Sequence, residues 1–449
     1  MDQLRDLFVG AAEYAARYRQ SLPERRVAAG DGGGFDVALQ RSPLPADLVV
    51  KELIAAAESG IVATAGPRFF GFVVGGALPS ATAAEFLTAA WDQNVFNAVL
   101  SPAAVAAEEA AGGWLKDLLG LPRTASVGFV TGAQAANTVG LAAARHHLLA
   151  RAGWDVERQG LNGAPPLRIL AGGERHATID RALRLLGFGT DALEPVRTGP
   201  DGALDIGDLK TRLPGVPAIV CLQAGNVNTG ACDDLRAACE LVRRHGGWAH
   251  VDGAFGLWAA ASPQTRALVD GVELADSWSC DGHKWLNVPY DCGFAFCAWP
   301  QVHSAAMSYT ASYLVGPGSR LSGADYTAES SRRARGFAVW AALRELGRDG
   351  VADLVERCCR LARRFAGGLS AAGFEVGNEV VLNQVLVSFG DDTRTDRVIA
   401  AVQRDGTCWM GGTTWRDRRF MRISVSNHTT TESDVDRSLE AIVRLAREV

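Results

Sequence analysis

At 449 residues and 48% hydrophobic content, the chain can bury a large core without staples and has room for two or three domains. A net charge of −5 and a pI near 6.0 leave no basic footprint for nucleic acid or an anionic membrane surface. The nine cysteines are odd in number and lack the paired CxxC spacing of a zinc site or redox dithiol, so no metal is expected and they read as small apolar fillers in a reducing cytoplasm.

The N-terminus, Met1 to Phe8, carries acids early and has no uninterrupted apolar run, so no secretory signal is expected there. Leu4, Leu7, Phe8, Ala11, Tyr14 and Ala15 recur at helical spacing and predict a helical arm over residues 2–20. An irregular connection follows through Pro23 and the glycines near 30–34. Residues 69–84 are apolar but interrupted by Gly71, Gly75, Gly76 and Pro79, which suits a packed loop and not a membrane helix. From about 81 to 300, helical stretches alternate with β-branched apolar runs at 126–130, 167–170, 218–224, 248–251, 277–280 and 293–299. Such alternation predicts an α/β fold, a mainly parallel sheet with helices on both faces. The final third reads as helices at 334–347, 351–371 and 431–447 around strands near 382–389 and 420–425. The expected division is an N-terminal segment 1–80, a large domain 81–305, and a loop plus small α+β domain 306–449.

Three motifs carry chemistry. Phe129 to Asn137 is a strand entering a small-residue turn, Gly132-Ala133-Gln134, that opens a helix and offers free N–H groups to a phosphate. His250-Val251-Asp252-Gly253-Ala254 puts a carboxylate at the end of a buried strand, costly unless it meets a cation such as a protonated pyridine nitrogen. Lys51, Lys116, Lys210 and Lys284 are the only lysines among 45 basic residues, and Lys284 sits in Asp281-Gly282-His283-Lys284-Trp285. A lysine amine can lose its proton and condense with an aldehyde, which arginine cannot do. A phosphate turn, an acid for a pyridine nitrogen and an amine for an aldehyde, in this order on one sheet, describe pyridoxal 5′-phosphate.

With these motifs, Pro67-Arg68-Phe69-Phe70-Gly71-Phe72, Asn226-Val227-Asn228-Thr229-Gly230 and Arg422-Ile423-Ser424-Val425-Ser426-Asn427, the chain resembles the group II pyridoxal-phosphate-dependent amino acid decarboxylases, the family of aromatic L-amino acid decarboxylase. The resemblance implies the aspartate-aminotransferase type fold. It makes Lys284 the Schiff-base lysine, Asp252 the pyridinium partner, Ala254 a contact of the ring and His176 the imidazole stacked on its other face. Gly132, Ala133 and Gln134 would hold the phosphate, with Gln134 departing from the serine or threonine of many relatives; Asn226, Asn228 and His283 complete the cofactor set. Tyr313 matches the tyrosine of a mobile loop that protonates the product carbon, together with His176, and that loop implies a homodimer with active sites near the subunit interface. Val73, Val74 and Phe96 match the side-chain pocket, whose apolar lining favours an aromatic or bulky apolar L-amino acid. The expected reaction is decarboxylation to the amine, in the cytoplasm. Transamination or carbon–carbon lysis, for which Arg422 could clamp a carboxylate, and non-catalytic cofactor binding remain as alternatives.

Overall fold

The computed structural model describes residues 2–309 and 323–449. Its centre is a seven-stranded sheet of β1 (Ser126–Val130), β2 (Arg168–Gly172), β3 (Leu193–Val196), β4 (Ala218–Gln223), β5 (Trp248–Asp252), β6 (Ser277–Asp281) and β7 (Gly293–Cys297), in the order β1-β7-β6-β5-β4-β2-β3. Neighbours from β3 through β6 run parallel, and β7 lies antiparallel to both β1 and β6. This is the expected α/β architecture. β5, β6 and β7 are buried along their whole length, covered on both faces, although β5 and β6 carry polar residues (His250, Asp252, Ser277, Ser279 and Asp281) into that interior. β3 is absent from the sequence reading because it is short and holds Pro195, a residue tolerated at a sheet edge where its missing N–H breaks no inner ladder.

Helix Ala133–Arg151 crosses the sheet against β5, β6 and β7. A Cβ on its Gly140 would stand 2.7 Å from the His250 ring, so a helix-weakening glycine is the condition for that close approach. Indoles of Trp248, Trp258, Trp278 and Trp285 fill the core around β5 and β6.

The second sheet is antiparallel, β8 (Glu375–Val376), β9 (Gln384–Ser388), β10 (Gly411–Trp415) and β11 (Arg418–Ser424), in the order β10-β11-β9-β8. Helix Gly336–Ala371 packs on it, broken at Gly347 (φ 62°) where the sequence placed a gap between two helices. The charged helix Asp392–Asp405 was not anticipated; Asp391 caps it by accepting from the Arg394 N–H. Phe70 N–H donates to the Trp409 carbonyl and Ser424 N–H to the Phe70 carbonyl, tying the 69–78 segment to this sheet and carrying it to the mouth of the large one. Among the described residues no helix is long and apolar enough to cross a membrane.

Candidate active site

Because β7 runs antiparallel between them, β1 and β6 point the same way, and β5 lies parallel to β6. The C-terminal ends of all three strands therefore meet at one edge, where ligands bind in open α/β sheets. Lys284 follows β6, and its Nζ lies 3.0 Å from Asp281 Oδ2. The other Asp281 oxygen accepts from the Ala133 N–H at 2.6 Å, at the N-terminus of the crossing helix, and lies 3.6 Å from His283 Nε2. Asp281 was not singled out in the sequence, although its i, i+3 spacing to Lys284 is a readable signal. Gly132 leaves room for this cluster, since a Cβ there would meet His283 Cε1 at 3.0 Å and Asp281 Oδ1 at 3.3 Å. The N–H groups of the helix's first turn have no preceding carbonyl to bond, so those of Gln134 and Ala135 remain available to an anion. The Gln134 side chain turns aside and donates to the Thr178 carbonyl.

Asp252 is 4% exposed and accepts from the Asn137 side-chain amide (3.1 Å), the Thr178 hydroxyl (3.4 Å), the Ser279 hydroxyl (3.3 Å) and the Ala254 N–H (3.2 Å). Donors from four directions hold a buried carboxylate that would otherwise be expensive to keep charged. His176 caps helix Ala177–Leu185, with Nδ1 accepting from the Thr178 N–H and 2.9 Å from its hydroxyl. With Nδ1 accepting the Thr178 N–H, the ring proton is assigned to Nε2, and the Thr178 hydroxyl divides its one proton between Nδ1 and Asp252. Burial lowers the His176 pKa from its usual value, against the opposing pull of Asp252, so the imidazole is neutral at physiological pH.

His176, Asp252, Ala254 and Lys284 line one cavity of about 160 Å³ together with Phe72, Val73, Gln223, Gly225, Val227, Phe255 and Arg422. A wider cleft beside it joins Lys284 and His283 to Thr131, Gly132, Ala133 and Gln134. Thus the lysine, the carboxylate, the imidazole and the anion turn converge as the sequence implied. Asn226 and Asn228 do not face this space. Asn226 donates to the Glu174 carbonyl and the Gln223 side chain and caps the N–H groups of Asn228 and Thr229, while Asn228 accepts from Thr413. Val73 lines the cavity; Val74 and Phe96 stand outside its lining, and Val227 and Phe255 take part instead. Tyr313 lies outside the described residues.

Residues 31–390 match the family model described as the pyridoxal-dependent decarboxylase conserved domain. The chain belongs to the pyridoxal-dependent decarboxylase family. It is 29% identical over 374 residues to tryptophan decarboxylase 1 of Oryza sativa subsp. japonica, covering 77% of this chain and 72% of that one. It is 25% identical over 417 residues to human cysteine sulfinic acid decarboxylase, covering 86% and 84% respectively. The crystal structure of Oryza sativa TDC with PLP and tryptamine superimposes with a TM-score of 0.93 at 24% identity, over 100% of this chain and 98% of that one. The decarboxylase is therefore a carboxy-lyase that uses pyridoxal phosphate.

The site fits that cofactor. An amine for the aldehyde, a buried carboxylate for the pyridine nitrogen and a free-donor helix start for the phosphate all open on adjoining cavities.

Proposed function

We propose that this enzyme decarboxylates an L-amino acid with an aromatic or bulky apolar side chain, giving the corresponding amine and carbon dioxide. The observation that carries this reading is the cavity lining. Beyond the polar groups assigned to the cofactor it presents Phe72, Val73, Val227 and Phe255, the Gln223 amide, whose oxygen accepts from Asn226, and one cation without an ion-pair partner among the described residues, Arg422. Arg422 projects from β11, has no ion-pair partner among the described residues, and has its pKa lowered by burial alone. A partly buried guanidinium with no counter-ion among the described residues suits the α-carboxylate of the substrate. A second carboxylate, on an acidic side chain, would then be buried against apolar walls without a partner.

Lys284 would attach the cofactor, Asp252 would face its pyridine nitrogen, and the Gly132–Gln134 turn would receive its phosphate. Bound there, pyridoxal phosphate supplies the electron sink for the pair freed when carbon dioxide departs. Arg422 orients the departing carboxylate, and His176 presents its Nε2 proton to the cavity. Tyr313 is the proposed acid that delivers a proton to the product carbon, a role that rests on the family resemblance.

Turnover of a panel of L-amino acids, scored for carbon dioxide, amine, keto acid and aldehyde, tests this reading. Aromatic substrates should give the highest kcat/KM, with amine as product; a preference for glutamate or cysteine sulfinate rejects the substrate class. Arg422→Leu should lower kcat/KM by about 10- to 100-fold, the range for losing a charge-assisted hydrogen bond. An unchanged value removes Arg422 from the carboxylate site.

We also propose a cytoplasmic homodimer. Helix Ala46–Glu58 buries none of its residues and leaves Leu48, Val49 and Leu53 uncovered, and Leu4 and Phe8 are likewise exposed on helix Asp2–Ser21. Apolar surface of this kind marks an interface. Light scattering should report twice the chain mass for the unaltered protein and a shift toward a single chain for Phe8→Glu/Leu53→Glu; a monomeric unaltered protein rejects the dimer.

A further inference from the structure

Behind Asp252 lies a file of buried polar groups that the proposed chemistry does not use. Trp248 Nε1 donates to Ser277 Oγ at 2.9 Å, Ser277 Oγ lies 2.8 Å from His250 Nδ1, His250 Nε2 lies 2.9 Å from Asn137 Oδ1, and Asn137 Nδ2 donates to Asp252 Oδ2 at 3.1 Å. His250, Asn137 and Ser277 are all fully buried. Four such groups in the core are expensive unless every one is satisfied.

Chemistry fixes the direction of the file. The Asn137 amide must turn its NH₂ to the carboxylate, so its oxygen faces His250 and accepts from Nε2–H. Burial brings the His250 pKa down to about 4, so the ring is neutral and holds one proton. With that proton on Nε2, Nδ1 accepts the Ser277 hydroxyl proton, and the serine oxygen remains free to accept the Trp248 N–H. Every donor points toward Asp252, and hydrogen bonds aligned head to tail strengthen one another. Asn137 Nδ2 also lies 3.1 Å from Thr178 Oγ1, the hydroxyl shared with His176, so one amide reaches both the carboxylate and the imidazole support. The sequence yields to this arrangement at Gly140, the one-atom gap in the crossing helix through which the His250 ring fits.

We propose that Asn137, aligned by His250, Ser277 and Trp248, is a positioning residue that holds the Asp252 carboxylate oriented toward the pyridine nitrogen of the cofactor. The proposal rests on the assignment of Asp252 to that nitrogen. The carboxylate can keep the nitrogen protonated only while its negative charge is stabilised in a dry setting, and the donor file supplies that stabilisation from the protein side.

The test uses holoenzyme carrying nitrogen-labelled pyridoxal phosphate, with the pyridine nitrogen shift, the cofactor dissociation constant and the melting temperature read for Asp252→Asn, Asn137→Leu, His250→Leu and His250→Gln. Asp252→Asn should move the shift to that of an unprotonated pyridine; if it does not, the assignment of Asp252 itself fails. Asn137→Leu should move the shift in the same direction and weaken cofactor binding by about tenfold or more, the scale of one charge-assisted hydrogen bond. His250→Leu should follow it, and His250→Gln, which can restore an N–H toward Asn137 Oδ1, should recover most of the shift. The inference is overturned if Asp252→Asn changes the shift while Asn137→Leu does not. It is equally overturned if His250→Gln is as impaired as His250→Leu, since packing and not donation would then explain both. The two His250 variants decide the matter should Asn137→Leu not fold.

Discussion

Lys284→Ala should lower decarboxylation by about 10³-fold, the scale of losing one preorganised group at the reacting centre, and should leave the protein without covalently held cofactor. The amine stands 3.0 Å from Asp281, at the junction of both cavities, and takes no part in the apolar core. Its truncation therefore removes chemistry without opening a void. Lys284→Arg separates charge from reactivity, because arginine can still pair with Asp281 but cannot condense with an aldehyde. Borohydride reduction followed by mass spectrometry checks both variants: the unaltered enzyme should retain the cofactor's mass on the peptide containing Lys284, and both variants should lack it. A reduced adduct on either variant would mean another amine is the attachment point.

Asp252→Asn is expected to reduce kcat by about 10²- to 10³-fold, as for removal of one preorganised charge-stabilising group. Asparagine preserves the volume and much of the hydrogen bonding from Ser279 and Ala254, so folding should be little disturbed. It removes the negative charge, and it also sets an amide against the Asn137 and Thr178 donors that the carboxylate accepts. The loss should appear in kcat more than in KM, because Asp252 serves the reacting ring and not the substrate carboxylate. Steady-state kinetics on the preferred amino acid checks this; equal loss in KM alone would place Asp252 in substrate binding.

What could be read beforehand divides along a physical line. β5 and β6 were legible as short runs between helical stretches, Asp252 stood out as a carboxylate at the end of a buried strand, and Lys284 as one of four lysines in an arginine-rich chain. The break at Gly347 was legible for the same local reason, a helix-ending glycine. Asn137 and Asp281 were not, since an asparagine in a helix and an aspartate before a lysine acquire meaning only when the sheet sets β1, β5 and β6 side by side. Arg422 lies on β11 of the second sheet, and nothing local tells whether its guanidinium faces solvent or the cavity that Lys284 lines. Val74 does not line the cavity that Val73 lines, and Phe72 and Val73 both take left-handed backbone angles (φ 55° and 60°) that redirect the chain at that point.

The pairing of β1 with β7 joins Val130 to Gly293, 163 residues apart (293 − 130). A ribosome must therefore synthesise the entire large sheet before β1 finds its partner β7, and until then the Gly132–Gln134 turn hangs from an unpaired edge. A chain stalled before β7 therefore carries β1 as an unpaired edge and is the one most exposed to aggregation.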